Sequence, residues 1–103
     1  MPKPIARVTW SADSRSGYLR ISTPDTDTEC AHRAQAAGAA LAASGGWGTV
    51  RATRRDETVI AIDCPLDRRL GGGALREAVK YTTQDARDAA KAALRSLGYT
   101  VRA

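Results

Sequence analysis

Two short segments near the start alternate apolar and polar residues: Val8 and Trp10 with Arg7 and Thr9, then Leu19 and Ile21 with Tyr18 and Arg20. A period of two sends alternate side chains to opposite faces of a strand, so Arg7–Trp10 and Tyr18–Thr23 read as strands. The Ser- and Gly-rich segment 11–17 between them is turn chemistry. The pair predicts a hairpin with Val8, Trp10, Leu19 and Ile21 on its buried side and Arg7, Thr9, Tyr18 and Arg20 on the other.

The period changes after Pro24. Thr26-Asp27-Thr28-Glu29 has the spacing of a capping box, in which a threonine hydroxyl and a glutamate carboxylate satisfy free backbone N–H groups reciprocally. Asp25, Asp27 and Glu29 also complement the positive end of a helix dipole. A helix over Cys30–Ser44 follows, almost entirely alanine, with Gly45-Gly46 as its stop and Cys30, Ala34, Ala37 and Leu41 as the expected inward stripe.

Alternation then returns. Over Trp47–Arg54 it places Trp47, Thr49, Arg51 and Thr53 on one side and Val50 and Ala52 on the other. A turn at Arg54-Arg55-Asp56-Glu57 leads into Thr58–Cys64, whose run Val59-Ile60-Ala61-Ile62 is the most strand-like of the chain and is expected at the centre of the sheet. Pro65 ends it. Residues 66–74 read as a flexible glycine-rich loop, and Leu75–Tyr81 mixes helical with strand preference. Thr82 and Thr83 offer caps to a second helix, with Ala86, Ala90, Ala93, Leu94 and Leu97 inward and Gly98 as its stop. Tyr99–Ala103 closes as a short strand.

One pattern recurs: helix, glycine, aromatic residue, strand. It runs through Gly46-Trp47-Gly48-Thr49-Val50-Arg51-Ala52 and again through Gly98-Tyr99-Thr100-Val101-Arg102-Ala103. With the hairpin in front, the order is ββαββαβ. That predicts one α+β domain over residues 1–103, a two-layer sandwich with a mainly antiparallel sheet and two Ala-rich helices on one face, in a split-βαβ or ferredoxin-like arrangement. If Leu75–Tyr81 is a strand instead, the core reads αβββα, similar to double-stranded RNA-binding domains. Thr83–Leu97 resembles the last helix of that family over about a seventh of the chain, with Gln84-Asp85 where the family carries a basic pair.

Composition narrows the picture. Of the 43% hydrophobic residues, 20 are alanine and none is phenylalanine, so a 103-residue chain of this kind has a thin core that must pack closely. Net charge is +5, and 13 of the 16 basic residues are arginine, whose planar fork of donors suits phosphates and base edges. Residues 1–55 hold eight basic and four acidic side chains, whereas residues 56–103 hold eight and seven, so the excess sits in the strand-rich first half. No run is long and apolar enough for a membrane span, and no signal core follows the start, which leads us to expect a cytoplasmic protein with Cys30 and Cys64 as reduced thiols.

Catalytic chemistry finds no foothold. His32 is the single histidine and has no nucleophile or orienting carboxylate in a motif with it, so a non-enzymatic protein is expected. Cys30, His32 and Cys64 match no zinc spacing, and neither a metal nor a cofactor is expected. Gly71-Gly72-Gly73 with Arg68, Arg69 and Arg76 reads as a mobile loop able to meet a phosphate, without the Gly-Lys-Ser/Thr of a nucleotide-binding loop.

The basic residues offer more. Arg87, Lys91 and Arg95 recur every four residues and line one edge of the second helix, a spacing that can track a phosphate backbone. On the strands, Arg7, Arg20 and Arg51 interleave with Tyr18 and Trp47, and Arg54 and Arg55 sit at the adjoining turn. Such a face can stack bases or enter a groove as a ribbon. The expectation is a DNA- or RNA-binding site on these strands, the 68–69 loop and the helix edge. The alternative is a protein-interaction module, a homodimer, inhibitor or adaptor, using the same aromatic and arginine residues.

Overall fold

The protein is described here from a computed structural model covering residues 3–13, 16–24, 26–46, 48–62 and 72–102, with residues 72–76 by their backbone alone. The elements run β1 (Ile5–Ala12), β2 (Gly17–Ser22), α1 (Asp27–Ala43), β3 (Gly48–Thr53), β4 (Glu57–Ile62), α2 (Gly72–Ser96) and β5 (Thr100–Arg102). The expected ββαββαβ order holds.

The strands form a single five-stranded mixed sheet ordered β3-β4-β2-β1-β5. Neighbours are antiparallel except β1 and β5, which are parallel. The leading strand β1 is therefore not an appendage. It is inserted between β2 and β5, and β2, rather than the apolar β4, occupies the middle. Each helix crosses over the sheet: α1 carries the chain from β2 to β3, and α2 carries it from β4 to β5. Both lie on one face, where Ala6, Val8, Leu19, Ile21, Ile60 and Ile62 meet Ala36, Ala37, Ala40, Ala86, Ala90 and Leu94 in the core.

Small residues bring the layers close. At Gly17 an added Cβ would overlap the Thr83 hydroxyl and stand 2.9 Å from the Thr83 Cβ, so the backbone of β2 rests directly against α2. Trp10, Leu97, Ala93 and Val101 pack around the rim of this core.

Three further sequence expectations change. Leu75–Tyr81 is helical, which excludes the αβββα alternative. The helix begins at Gly72, inside the supposed loop, so Thr82 and Thr83 are not caps. Good helix formers in Leu75-Arg76-Glu77-Ala78 carry the helix through, and the Thr83 hydroxyl donates to the Val79 carbonyl one turn back at 2.6 Å.

The inward stripe of α1 is also rotated. Arg33, Ala36, Ala37, Ala40 and the cap residue Ser44 are buried, Cys30 and Leu41 are half-buried, and Ala34 is exposed. Arginine 33 causes the rotation, as described below. The start of α1 is as expected, with Thr26 Oγ1 accepting from the Glu29 N–H at 3.2 Å. The reciprocal half of the box is missing: the Thr26 N–H donates to the Pro24 carbonyl, and Glu29 Oε2 is buried without a hydrogen-bond partner. At the far end the chain leaves through Gly45 and Gly46 at φ +72° and +85°, left-handed conformations open to glycine, and Gly98 ends α2 likewise at +96°.

The third change is in β3. Val50 pairs with Ile60 and Ala52 with Val59, so Arg51 is an extra residue in a β-bulge. Beyond the bulge the alternation inverts. Thr49 and Ala52 share one face, and Thr53, opposite buried Thr58, belongs to the helix side.

Candidate nucleic-acid interface

Strand register defines the uncovered side of the sheet. One row of Cα partners crosses it as Arg102, Arg7, Ser22 and Glu57, the next as Thr9, Arg20, Val59 and Ala52, and a third as Ser11, Tyr18, Ala61 and Thr49. The hairpin alternation read from the sequence is thus correct, with Arg7, Thr9, Tyr18 and Arg20 exposed on this face. Among the described residues its charged groups are three arginines, Arg7, Arg20 and Arg102, and one carboxylate, Glu57.

The pairing of these charges is uneven. Arg20 Nη1 meets Glu57 Oε1 at 3.1 Å, with 65% of the arginine side chain exposed. An exposed pair of this kind contributes at most about 1 kcal/mol, so a phosphate can displace it. Arg7 and Arg102 stand directly opposite each other on adjacent strands, a like-charge arrangement that repels. Neither has an ion pair among the described residues. Beside Arg7 lies a shallow depression of about 250 Å³ lined by Ile5, Arg7, Ser22 and Thr23. Tyr18 and Ile5 keep 41% and 44% of their surface in solvent.

Arg54 and Arg55 occupy the β3–β4 turn, both exposed. Their carbonyls, not their side chains, show what holds the turn. Each accepts from Arg33 Nη2 at 2.6 Å, while Arg33 Nη1 donates to Thr23 Oγ1 at 2.6 Å and Nε to Thr58 Oγ1 at 3.3 Å. Arg33 is fully buried, and no carboxylate of the described residues lies within ion-pairing distance of it. Neutral acceptors from three segments solvate its charge instead, which is how a buried guanidinium avoids the large penalty of an unpaired one.

The helix edge is a separate surface. Arg87 binds Asp88 Oδ1 through Nη2 at 3.0 Å and lies over the Trp10 ring, 5.8 Å from its centroid. This cation–π contact anchors Arg87 against the helix-covered side of β1. Lys91 is half-buried and Arg95 exposed. Since both helices cover one side of the sheet, the Arg87-Lys91-Arg95 edge does not join Arg7 and Arg20 in one patch. Arg51 projects from the bulge on the β3 edge. Trp47, Arg68 and Arg69 lie outside the described residues, as do Cys64 and Gly71.

His32 is engaged structurally. Its Nδ1 is 2.8 Å from the Tyr99 hydroxyl, and the two rings meet edge to face at 5.5 Å. Burial, followed by the nearby Glu29 carboxylate, raises the Tyr99 pKa above the usual 10.0, with Arg33 acting in the opposite direction. Cys30 is a half-buried free thiol, and no group of three His, Cys, Asp or Glu side chains among the described residues is placed to hold a metal. No helix among them is long and apolar enough to cross a membrane.

Two residues escaped the sequence reading. Arg102 was legible as the polar partner of Val101 in the last strand, but its place beside Arg7 depends on β5 pairing with β1. Arg33 shares the 33-36-37-40 stripe with three alanines, a spacing that was available but pointed an arginine into the core. Compared with protein-family models, curated proteins and solved structures, the chain matches none.

Proposed function

We propose that this is a small non-enzymatic protein that binds nucleic acid on the uncovered face of its sheet, in keeping with a cytoplasmic setting. The supporting observation is the charge of that face: among the described residues, Arg7, Arg20 and Arg102 against the one carboxylate of Glu57, with Tyr18 exposed among them. Guanidinium groups on a rigid sheet neutralise phosphates and release their counterions, and the exposed ring offers a surface for a base. Arg54, Arg55 and Arg51 extend the positive border toward β3. The Arg87-Lys91-Arg95 edge, on the helix layer, serves as a secondary electrostatic surface in this reading.

The test is a binding titration against mixed-sequence DNA and RNA at low and at moderate salt. Affinity should fall steeply as salt rises, since each phosphate contact releases about one counterion. Absence of binding at low salt overturns the reading.

A protein partner is the second reading, favoured by Ile5 and Tyr18, which leave apolar surface exposed on the same face. Its partner would have to be acidic, because a second copy would set arginine against arginine. Binding of an acidic polypeptide such as poly-glutamate, with no binding of DNA or RNA at low salt, would favour it over nucleic acid.

A further inference from the structure

We infer that the uncovered face takes single-stranded rather than duplex nucleic acid, with a backbone phosphate between Arg7 and Arg102 and a base stacked on Tyr18. This inference rests on the nucleic-acid reading above and specifies its ligand.

Width excludes the duplex grooves. Strands stand about 4.8 Å apart, so the sheet spans about 14 Å wherever four strands run side by side, with β5 outermost at the Arg7 row and β3 outermost beyond it. A major groove is about 12 Å wide and a minor groove about 6 Å. A lone two-stranded ribbon would enter, but this hairpin is no ribbon: β2 is paired along its whole length with β4, and β1 with β5 over Ile5–Arg7. Duplex contact would reach only the outer phosphates, leaving Tyr18 without a base to meet.

A single strand uses what the face offers. Arg7 and Arg102 are like charges held side by side, and an anion bridging them turns their repulsion into two charge-assisted hydrogen bonds. Ser22, the partner of Arg7 on β2, adds a hydroxyl, and the depression lined by Ile5, Arg7, Ser22 and Thr23 gives the phosphate a seat. Four residues along β2, about 13 Å away, is Tyr18, whose ring has no aromatic or cationic partner among the described residues. Arg20 lies between them. An extended strand of a few nucleotides laid along β2 would meet a guanidinium pair, then Arg20, then an aromatic surface, without any base having to leave a helix.

Fluorescence anisotropy with a labelled mixed-sequence 12-mer, compared with the same oligonucleotide annealed to its complement, tests this directly. The single strand should bind more tightly. Tyr18→Ala should weaken it roughly tenfold, Tyr18→Phe should restore it, and an abasic 12-mer should show no difference between wild type and Tyr18→Ala. Arg7→Gln with Arg102→Gln should lower the slope of log affinity against log salt by about 0.7, the share of the one phosphate they hold on a single strand. Circular dichroism of each variant establishes that it folds. If the duplex binds as tightly as the single strand, or Tyr18→Ala has no effect on a folded protein, the inference is overturned and nucleic-acid binding stands. If neither form binds at low salt, both fail.

Discussion

The two crossovers, β2-α1-β3 and β4-α2-β5, share a sheet face and the same glycine-terminated helix, yet they are held down by different physics. α2 packs through Ala86, Ala90 and Leu94 and through the close approach of Thr83 to Gly17, an apolar seam of small side chains. α1 has three core alanines on its stripe, Leu41 packed at the rim of the core, and Arg33 as its one fully buried large residue among the described ones. In that unit a guanidinium does the joining, tying helix, β2 exit, β4 and the β3–β4 turn through four hydrogen bonds. An Ala-rich helix contributes little hydrophobic area, so a long side chain carrying five donors can fasten it where a leucine would only fill space. The cost is a charge kept from water.

The largest expected effect comes from breaking the polar unit. Arg33→Ala should cost about 3 to 5 kcal/mol in urea unfolding, because it leaves the buried hydroxyls of Thr23 and Thr58 and the part-buried carbonyls of Arg54 and Arg55 without that donor and opens a cavity. Arg33→Met keeps most of the volume and should recover only the packing part. If Met restores full stability, the hydrogen bonds contribute nothing net and the contrast between the units collapses.

A smaller effect is expected at the apolar seam. Gly17→Ala forces the new methyl into Thr83 and should cost about 1 to 3 kcal/mol, as over-packing does. Adding Thr83→Ala removes the hydroxyl and methyl overlaps but leaves its Cβ 2.9 Å from the new methyl, so it should relieve part of that cost, a non-additivity expected only for side chains in contact. Simple additivity in the double-mutant cycle would mean that β2 and α2 are not this close.

The smallest effect joins the two units where Tyr99, following α2, meets His32 on α1. Tyr99→Phe removes one hydrogen bond, about 1 kcal/mol. It should also alter the alkaline limb. With its folded pKa raised by burial and Glu29, neutral Tyr99 contributes stability fully below about pH 10 and loses it as pH climbs through the folded value. Unfolding curves between pH 8 and 11 should therefore fall less steeply for the variant than for the wild type.

Much of the sheet was legible because half-buried strands advertise themselves by alternation: Val8, Leu19 and Ile21 face the core as the pattern requires. Interior order was not. The place of β1 between β2 and β5 depends on pairing between residues more than 90 positions apart, such as Ile5 with Thr100, which no local pattern encodes. The start of α2 was misplaced because Thr82 and Thr83 have cap chemistry, and only the helix-forming residues upstream decide that they are interior. Alternation also failed past Val50, since a bulge adds a residue without leaving a mark in the polarity of Arg51 or Thr53. Of the candidate site, the exposed row of the hairpin was readable and the Arg7–Arg102 pair was not. Buried Arg33 was the hardest case. In an alanine-rich helix the default place for an arginine is solvent, and its burial becomes sensible only once four acceptors from distant segments surround it.

The borders of the sheet have their own consequence. One border is stepped, three residues of β5 parallel to β1 and then Val8–Ala12 of β1 itself, and the other is β3, interrupted at Arg51 by the bulge. Each is broken within a few residues, which disfavours the long, flat row of unpaired backbone groups that templates strand addition from another molecule. Copies of this protein crowded together at high local concentration, as along a shared polymer, are thereby kept from fusing their sheets into aggregates, and neighbours meet through side chains that can let go.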